Sequence, residues 1–217
     1  MLFDHIDVFL MIGGAMSLHR IYRNHWLRYS SPKKLPLKIF RDPTHIKGIA
    51  AKVNDSDNVR FYHTPTLRWW SNRNCKSLKR NVMLKNTLNV RLAGIDAPEC
   101  AYFGNPGQPM SGEAKLWLKQ RIEGKVIEIV PHRVDQYERL VASVYAWDWW
   151  FLKRNVSLDM VKAGYACIYD GKGAEYGSVR MEKQLKGAEM KAKKKKIGIW
   201  KLKNFMSPKV YKRMVSK

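Results

Sequence analysis

Residues 90–99 read Val90-Arg91-Leu92-Ala93-Gly94-Ile95-Asp96-Ala97-Pro98-Glu99. The apolar run at the start of this stretch, Val90–Ile95, has the length and composition of a β-strand. Side chains alternate between the two faces of a strand, so Arg91 shares a face with Ala93 and Ile95 and is predicted to point inward. A guanidinium in such a position needs an anionic partner, either from the protein or from a substrate.

Acidic residues are scarce in this chain, and four of them lie at the ends of predicted strands. Asp96 and Glu99 follow the strand because the chain breaks at Pro98, and Asp55 and Asp57 occupy a polar turn between two other strand-like runs. Carboxylates gathered at one end of a barrel repel one another unless a cation lies among them. Oxygen ligands without Cys or His favour calcium or magnesium over zinc.

A second arginine comes from the polar turn Asp135-Gln136-Tyr137-Glu138-Arg139. A metal ion, two arginines and one free carboxylate are what phosphodiester hydrolysis requires, because charge develops on the phosphoryl oxygens and a water must be activated. Each part also has an ordinary structural interpretation. An inward arginine is commonly held in a structural ion pair, an Asp-rich turn is often only a turn, and a glutamate after proline often starts a helix.

The remaining pattern is short strands interleaved with helices. The other predicted strands are Ile46–Val53, Val59–His63, Val126–Val130 and Val141–Trp147. Three helices are predicted: one capped by Ser111 and running to Ile122, one capped by Asn155 and ending at Gly164, and one over Val179–Lys195. The first has its apolar residues on one side, namely Ala114, Leu116, Trp117 and Ile122. Five short strands with three helices predict an α+β fold that is mainly a small β-barrel packed by helices.

The composition indicates a polyanionic partner. Among 217 residues, 41 Lys and Arg stand against 18 Asp and Glu, a formal net charge of +23. Such a balance points to nucleic acid or an anionic membrane and argues against an acidic partner. The three cysteines, Cys75, Cys100 and Cys167, form neither a disulfide framework nor a zinc motif, which fits a reducing intracellular compartment.

The N-terminus predicts a membrane anchor. Val8–Leu18 is uncharged and apolar and is followed by basic residues, the pattern of an anchor with a cytoplasmic-type flank; the alternative is a buried N-terminal helix. The predicted organisation is an anchor with its basic flank (1–29), a linker (30–44), a barrel domain (45–203) and a basic tail (204–217). Within the domain, 64–89 is a basic insertion without an acidic residue.

The motifs resemble the staphylococcal nuclease (thermonuclease) family. Residues 90–99 are preceded by Asp55-Ser56-Asp57, followed by Asp135-Gln136-Tyr137-Glu138-Arg139, and closed by Ala188-Glu189, Ala192 and Ile199-Trp200. Their order is preserved from about Lys47 to Trp200. The nearer resemblance is to the fungal membrane-anchored probable endonucleases of mitochondria, which share the anchor, the basic insertion and a stretch like Phe103-Gly104-Asn105-Pro106.

This resemblance implies a five-stranded OB-type barrel with three helices and a calcium-dependent endonuclease that cleaves DNA, RNA or both. It assigns roles by motif position. Asp57 and Asp96 would hold calcium with help from the main-chain carbonyl of Ala97, and Glu99 would be the general base. Arg91 and Arg139 would grip the phosphate, with Tyr137 touching the nucleotide. Ser56 stands where the family usually has Gly, so a reshaped turn is expected.

Partners and location are predicted as follows. Trp69 and Trp70 lie among arginines in the basic insertion and are candidates for stacking on bases. Nucleic acid and, through the anchor, an anionic membrane are the expected partners, with no obligate protein partner. By resemblance, the location is a mitochondrial membrane, spanned once. The competing hypothesis is a catalytically inactive nuclease-like module that binds nucleic acid or protein, since such domains can lose their chemistry and keep their surface.

Overall fold

The computed structural model describes residues 15–18, 22, 26–65, 80–101, 104–148 and 151–215. Its strands are β1 (Ile46–Asp55), β2 (Asn58–His63), β3 (Leu88–Leu92), β4 (Ile95–Asp96), β5 (Val126–Val134), β6 (Leu140–Asp148), β7 (Leu152–Asn155) and β8 (Cys167–Ile168). Its helices are α1 (Lys38–Arg41), α2 (Arg80–Asn86), α3 (Ser111–Ile122), α4 (Val156–Lys162), α5 (Val179–Lys194) and α6 (Pro208–Val215), with 3-10 turns at Pro32–Lys34 and Gly198–Lys201.

Five of the strands form a closed ring of hydrogen-bonded pairs. Their order is β3-β2-β1-β5-β6, and β3 pairs with β6 as well as with β2. The β3–β6 pair is parallel and sets Val90 beside Leu140 and Arg91 beside Val141. β7 extends the sheet beyond β6, and β4 pairs with β8 as a separate two-stranded sheet. Register shifts in β1 and β5 mark bulges, which bend strands and help a sheet to curl.

Apolar side chains from both strands and helices form one core. On β3 the buried residues are Leu88, Val90 and Leu92, and the two between them are partly exposed, which is the alternation expected of a half-buried strand. The helices that cover the ring contribute fully buried side chains, namely Leu118 of α3, Met160 of α4 and Leu185 of α5. The α+β architecture, mainly sheet with several packed helices, is therefore as predicted in outline.

Three local predictions can be compared with the observed elements. Asn155 caps α4 as predicted, because its side chain accepts a hydrogen bond from the Leu158 amide at 2.9 Å. Ser111 does not cap α3; the cap position is Met110, whose φ is 66° and which makes no capping side-chain bond. Leu116 of α3, predicted on the buried side, is exposed, and Leu118 is buried instead.

The predicted inward direction of Arg91 is wrong. Arg91 lies between Val90 and Leu92, which both face the core, so its side chain projects from the opposite face of β3. The prediction relied on alternation continuing to Ile95. However, β3 ends at Leu92, and Gly94, at φ 76°, turns the chain into β4, so the alternation does not continue across it.

The N-terminal region contradicts the predicted single-pass membrane location. Across the described ranges, none of the helices has both the length and the apolar character needed to cross a bilayer. Residues 15–18 are helical. The first part of the predicted anchor, residues 1–14, lies outside the described residues. Farther along, Leu35 and Ile39 of the predicted linker are buried in the core.

Candidate active site

Arg91 is the centre of a buried cluster of charges on the outer face of β3. Its Nε lies 3.1 Å from Oδ2 of Asp57, and its Nη2 lies 2.8 Å from Oδ1 of Asp96. The three side chains are 15%, 7% and 3% exposed, respectively. Burial of this kind strengthens each charge interaction and makes an unpaired charge costly. One guanidinium thus pairs with two carboxylates that come from different parts of the chain.

The turn between β1 and β2 delivers Asp57 to this cluster. The main-chain oxygen of Asp57 accepts a hydrogen bond from the amide of Leu92 at 3.0 Å, which fixes the turn beside β3. Asn58 Nδ2 donates to Asp57 Oδ1 at 2.5 Å. Ser56 uses its hydroxyl to donate to the carbonyl of Pro98 at 2.8 Å. The serine at the family's usual glycine position therefore ties the Asp57 turn to the loop that carries Glu99.

Asp96 reaches the cluster from the short strand β4. β4 pairs with β8, where Asp96 lies opposite Cys167. The Cys167 thiol also donates to the Asp96 carbonyl at 3.3 Å, and burial raises the pKa of that thiol to about 12. A thiol with so high a pKa stays protonated at neutral pH. Cys167 therefore acts here as a structural support for Asp96.

Glu99 is held at the edge of the cluster by Gln108. The amide of Glu99 donates to Gln108 Oε1 at 3.0 Å, and the amide of Gln108 donates to the Glu99 carbonyl at 2.9 Å. The Glu99 carboxylate is 26% exposed and lies 2.7 Å from the Nζ of Lys212 in α6. Lys212 also approaches Asp96 Oδ1, at 3.5 Å. Glu99 is thus the most accessible of the three carboxylates at Arg91.

The pKa values of Asp57 and Glu99 are both raised, and the two carboxylates differ in their exposure to solvent. Burial raises the pKa of Asp57, against the lowering effect of Arg91. Burial also raises the pKa of Glu99, while the hydrogen bond from Lys212 acts in the opposite direction. A carboxylate whose pKa moves up toward neutrality is better suited to accept a proton from water than an ordinary surface carboxylate. Glu99 combines this shift with exposure to solvent.

Arg139, the second predicted arginine, lies on the neighbouring strand edge. Arg139 directly precedes Leu140, the first residue of β6, and Leu140 lies opposite Val90 in the parallel β3–β6 pair. Its Nε is paired with Asp135 Oδ2 at 2.7 Å. Its guanidinium carbon lies 5.2 Å from the centre of the Tyr137 ring, which is 68% exposed.

The chemistry of the oxygen donors fits a hard divalent cation. Asp57 and Asp96 both form ion pairs with one guanidinium, so they already bracket one positive group, and carboxylate oxygens are preferred calcium ligands. In the part of the chain that the structure describes, no three His, Cys, Asp or Glu side chains group closely enough to hold a metal alone. An ion at these two aspartates would therefore need a main-chain oxygen, such as that of Ala97, and water.

A groove of about 980 Å³ opens beside Asp96, between β8, α5 and the C-terminal segment. Its walls carry both aromatic rings and cations, namely Tyr169, Trp200, Phe205, Lys186, Lys193 and Arg213. The Tyr169 ring also lies 5.2 Å from the guanidinium carbon of Arg91. Trp69 and Trp70, the predicted stacking residues, lie outside the described residues.

Sequence reasoning missed Lys212, Gln108 and Tyr169. Lys212 is one of several lysines in a segment predicted only as a basic tail, and Gln108 belongs to no motif. Tyr169 follows a two-residue strand that carries no periodic signal. Of these three residues, only Tyr169 lies next to a recognisable sequence feature. It directly precedes Asp170-Gly171, a dipeptide typical of turns.

Comparison with known proteins agrees with this geometry. Residues 89–202, more than half of the chain, match the family described as "Staphylococcal nuclease homologue". A "Probable endonuclease LCL3" of Arthroderma otae is 38% identical over 95% of this chain and 75% of its own length. Proteins of the same name from Komagataella phaffii and Candida dubliniensis are 41% and 37% identical, over 89% and 97% of this chain and 86% and 92% of their own lengths.

These matches confirm the family resemblance and the OB-type fold that it implies, and the relatives' names say nothing of a mitochondrial location. The matched segment contains Arg91, Asp96, Glu99 and Arg139, although it begins after Asp57. The chain therefore belongs to the staphylococcal nuclease family of phosphodiester hydrolases.

Proposed function

We propose that this nuclease is a calcium-dependent endonuclease that hydrolyses internal phosphodiester bonds of DNA, RNA or both. The observation that carries the proposal is Arg91 bridging the buried Asp57 and Asp96, with the more exposed Glu99 beside them. A protein that only bound nucleic acid would need surface cations and no buried carboxylates at that point, because carboxylates repel phosphate.

In this mechanism the arginines hold the scissile phosphate. A guanidinium carries five N–H donors, and the two aspartates pair with Nε and Nη2 of Arg91, so further donors are left for phosphoryl oxygens. Arg139, directly before the neighbouring strand β6, supplies a second fork. Paired N–H donors of this kind recognise phosphate and stabilise the charge that develops on it during attack by water.

Glu99 accepts the proton of the attacking water. Its carboxylate is reachable from solvent and has its pKa raised by burial. The main chain of Glu99 is anchored by the reciprocal hydrogen bonds with Gln108. A positioned base of this type typically contributes about 10² to 10⁴ in rate. Asp57 and Asp96 are less suitable as the base because both are buried and already paired with Arg91.

Asp57 and Asp96 are the side chains that would hold calcium, completed by the Ala97 carbonyl and water. Bound there, the ion would supply positive charge next to the phosphoryl oxygens. The net charge of +23 draws a polyanion toward the site. The groove beside Asp96 and the exposed Tyr137 ring offer surfaces for the nucleotides on either side of the cut, since bases stack on exposed aromatic rings.

The test is cleavage of circular single-stranded DNA and of RNA by the full chain, in calcium and in EGTA. Circular DNA has no ends, so its cleavage reports internal cutting. Glu99→Gln should lower the rate in calcium by at least about 10² and leave oligonucleotide affinity, measured by fluorescence anisotropy, nearly unchanged. Glu113→Gln removes a charge from an exposed position in the first turn of α3 and serves as the matched control.

Each outcome has a clear reading. Binding without cleavage in any metal would overturn the enzymatic proposal and favour the inactive binding module. Cleavage that survives EGTA would overturn the calcium requirement. Equal rates for Glu99→Gln and Glu113→Gln would remove Glu99 from the mechanism.

A further inference from the structure

The C-terminal helix α6 places a lysine ammonium inside the acidic cluster. Lys212 Nζ lies 2.7 Å from Glu99 Oε1 and 3.5 Å from Asp96 Oδ1. Asp96 is one of the two aspartates suited to hold a divalent cation, and Glu99 is the proposed base. A positive group from the chain itself therefore sits against both parts of the catalytic machinery.

Charge balance shows what this lysine does in the cluster. Asp57, Asp96 and Glu99 carry three negative charges, and Arg91 supplies one positive charge. With Lys212 the cluster carries one net negative charge, and without Lys212 it carries two, the charge that a divalent cation would neutralise. Because like charges repel strongly in a partly buried site, an ammonium against Asp96 and a divalent ion on Asp96 oppose each other.

The attachment of α6 is mostly polar. The Tyr211 hydroxyl donates to the carbonyl of Pro106, and Lys209 pairs with Asp170 at 3.1 Å. The apolar side chains Val210 and Met214 remain 43% and 62% exposed. Exposed ion pairs are individually weak, and apart from Pro208 at its start, which is buried, the described side chains of this helix cover little apolar surface. Such a helix can leave the site without disrupting the core.

One further contact keeps the helix near the site when it moves. Gln108, which anchors Glu99, donates from Nε2 to the carbonyl of Met206 at 2.9 Å, two residues before α6 begins. Gln108 itself is buried. The segment just ahead of the helix is thus fixed to the Glu99 loop, and α6 can undock and redock as a tethered element.

We propose that Lys212 is a tethered competitor of the metal ion, so that docking of α6 and occupation of the Asp57–Asp96 site by a divalent cation exclude each other. This inference rests on the proposed calcium site. It gives the protein a closed form, in which the ammonium satisfies Asp96 and Glu99, and an open form that accepts metal. Since linkage is reciprocal, metal must loosen the helix by the same factor by which the docked lysine weakens the metal.

The first test is direct calcium binding to the full chain by isothermal titration calorimetry, without nucleic acid. Lys212→Met, which keeps side-chain length and removes the charge, should bind calcium roughly 10- to 100-fold more tightly than wild type, the usual range of coupling between two sites. Lys212→Arg keeps the charge and should stay close to wild type. Lys203→Met removes the same charge from an exposed lysine that lies outside α6 and is the matched control.

The second test needs no substitution. Hydrogen–deuterium exchange of the unmodified chain should show faster exchange of the amides of residues 208–215 when calcium is added, because the helix loses its docked contacts. Unchanged or slower exchange at saturating calcium would overturn the competition, whatever the variants do.

The outcomes separate this inference from the function on which it rests. Measurable and equal calcium affinities in wild type and Lys212→Met would overturn the competition and leave the calcium site intact. Calcium binding in none of the proteins would overturn both. A Lys212→Met protein with unchanged affinity but a large loss of cleavage rate at saturating calcium would make Lys212 a catalytic group and would also overturn the competition.

Discussion

Arg91→Met tests the charge cluster through the stability of the protein. Methionine is close to arginine in length but carries no charge, so the variant leaves Asp57 and Asp96 buried without their shared partner. Their side chains are 7% and 3% exposed, and solvent cannot replace the guanidinium. The loss should appear both as reduced stability without metal and as absent cleavage.

The expected loss of unfolding free energy is about 3 kcal/mol. Removing one partner of a buried ion pair typically costs about 3–5 kcal/mol. The lower end applies because Lys212 remains 3.5 Å from Asp96 and supplies part of the missing charge. With total stabilities of about 5–15 kcal/mol for folded domains, the variant should still fold but unfold at clearly lower urea concentration.

The assay is equilibrium urea unfolding at neutral pH in EGTA, followed by tryptophan fluorescence, with Arg121→Met as the control. Arg121 is buried to a similar degree, 13% exposed, and likewise bridges two aspartates, Asp148 and Asp159. Asp159 keeps a second partner, since Arg154 Nη2 lies 2.6 Å away. Arg121→Met should therefore cost less, about 1–2 kcal/mol, and should retain cleavage.

Calcium gives the sharper comparison. A divalent ion between Asp57 and Asp96 would replace the charge that Arg91→Met removes, so calcium should restore stability in Arg91→Met by more than it stabilises wild type or Arg121→Met. The reasoning fails if Arg91→Met loses less than about 1 kcal/mol, or if calcium stabilises all three proteins equally.

Two other perturbations address the ring of strands. Burial, and then the Arg28 charge, lower the pKa of His63 to about 4 in the native state. As the pH falls, His63 is therefore protonated in the unfolded chain before it is protonated in the native state. The free energy of unfolding should decrease by about 2 kcal/mol between pH 8 and pH 5. Urea unfolding across that range should show a smaller loss in His63→Gln, and equal losses would contradict the assignment. Gly48→Ala would put a methyl group 2.4 Å from the Tyr62 carbonyl oxygen and 2.5 Å from the Phe61 ring. This crowding should lower the free energy of unfolding by about 1–3 kcal/mol. A melting temperature equal to that of wild type would contradict this prediction and show that the two strands can shift to accommodate the methyl group.

Local patterns in the sequence were enough to predict most of the strands and helices. The run Ile46–Val53 became the larger part of β1, and the predicted helix Val179–Lys195 is observed as α5, Val179–Lys194. Asn155 was recognised as a cap because its partner amide is only three residues away. These features depend on neighbours along the chain, so hydrophobic period and capping chemistry contain the necessary information.

The candidate residues Arg91, Asp57 and Asp96 were also found from the sequence, but their arrangement was not. Strand alternation counted from Ile95 placed Arg91 on the wrong face of β3. The chain turns at Gly94, which has a positive φ, so alternation does not continue from β3 into β4. The bridge from one guanidinium to both aspartates requires the Asp57 turn to lie beside β3, and a hydrogen bond between the Asp57 carbonyl and the Leu92 amide holds it there.

The position of Lys212 was decided by the tertiary structure alone. No local signal distinguishes this lysine from the others in the C-terminal segment, and its carboxylate partners lie more than a hundred residues earlier; Asp96 is 116 positions away. Sequence periods report which face of an element is buried, but the meeting of two distant side chains depends on how all the intervening elements pack. Composition and motifs therefore identified a nuclease. Only the folded structure showed that the C-terminal helix places Lys212 against Asp96 and Glu99.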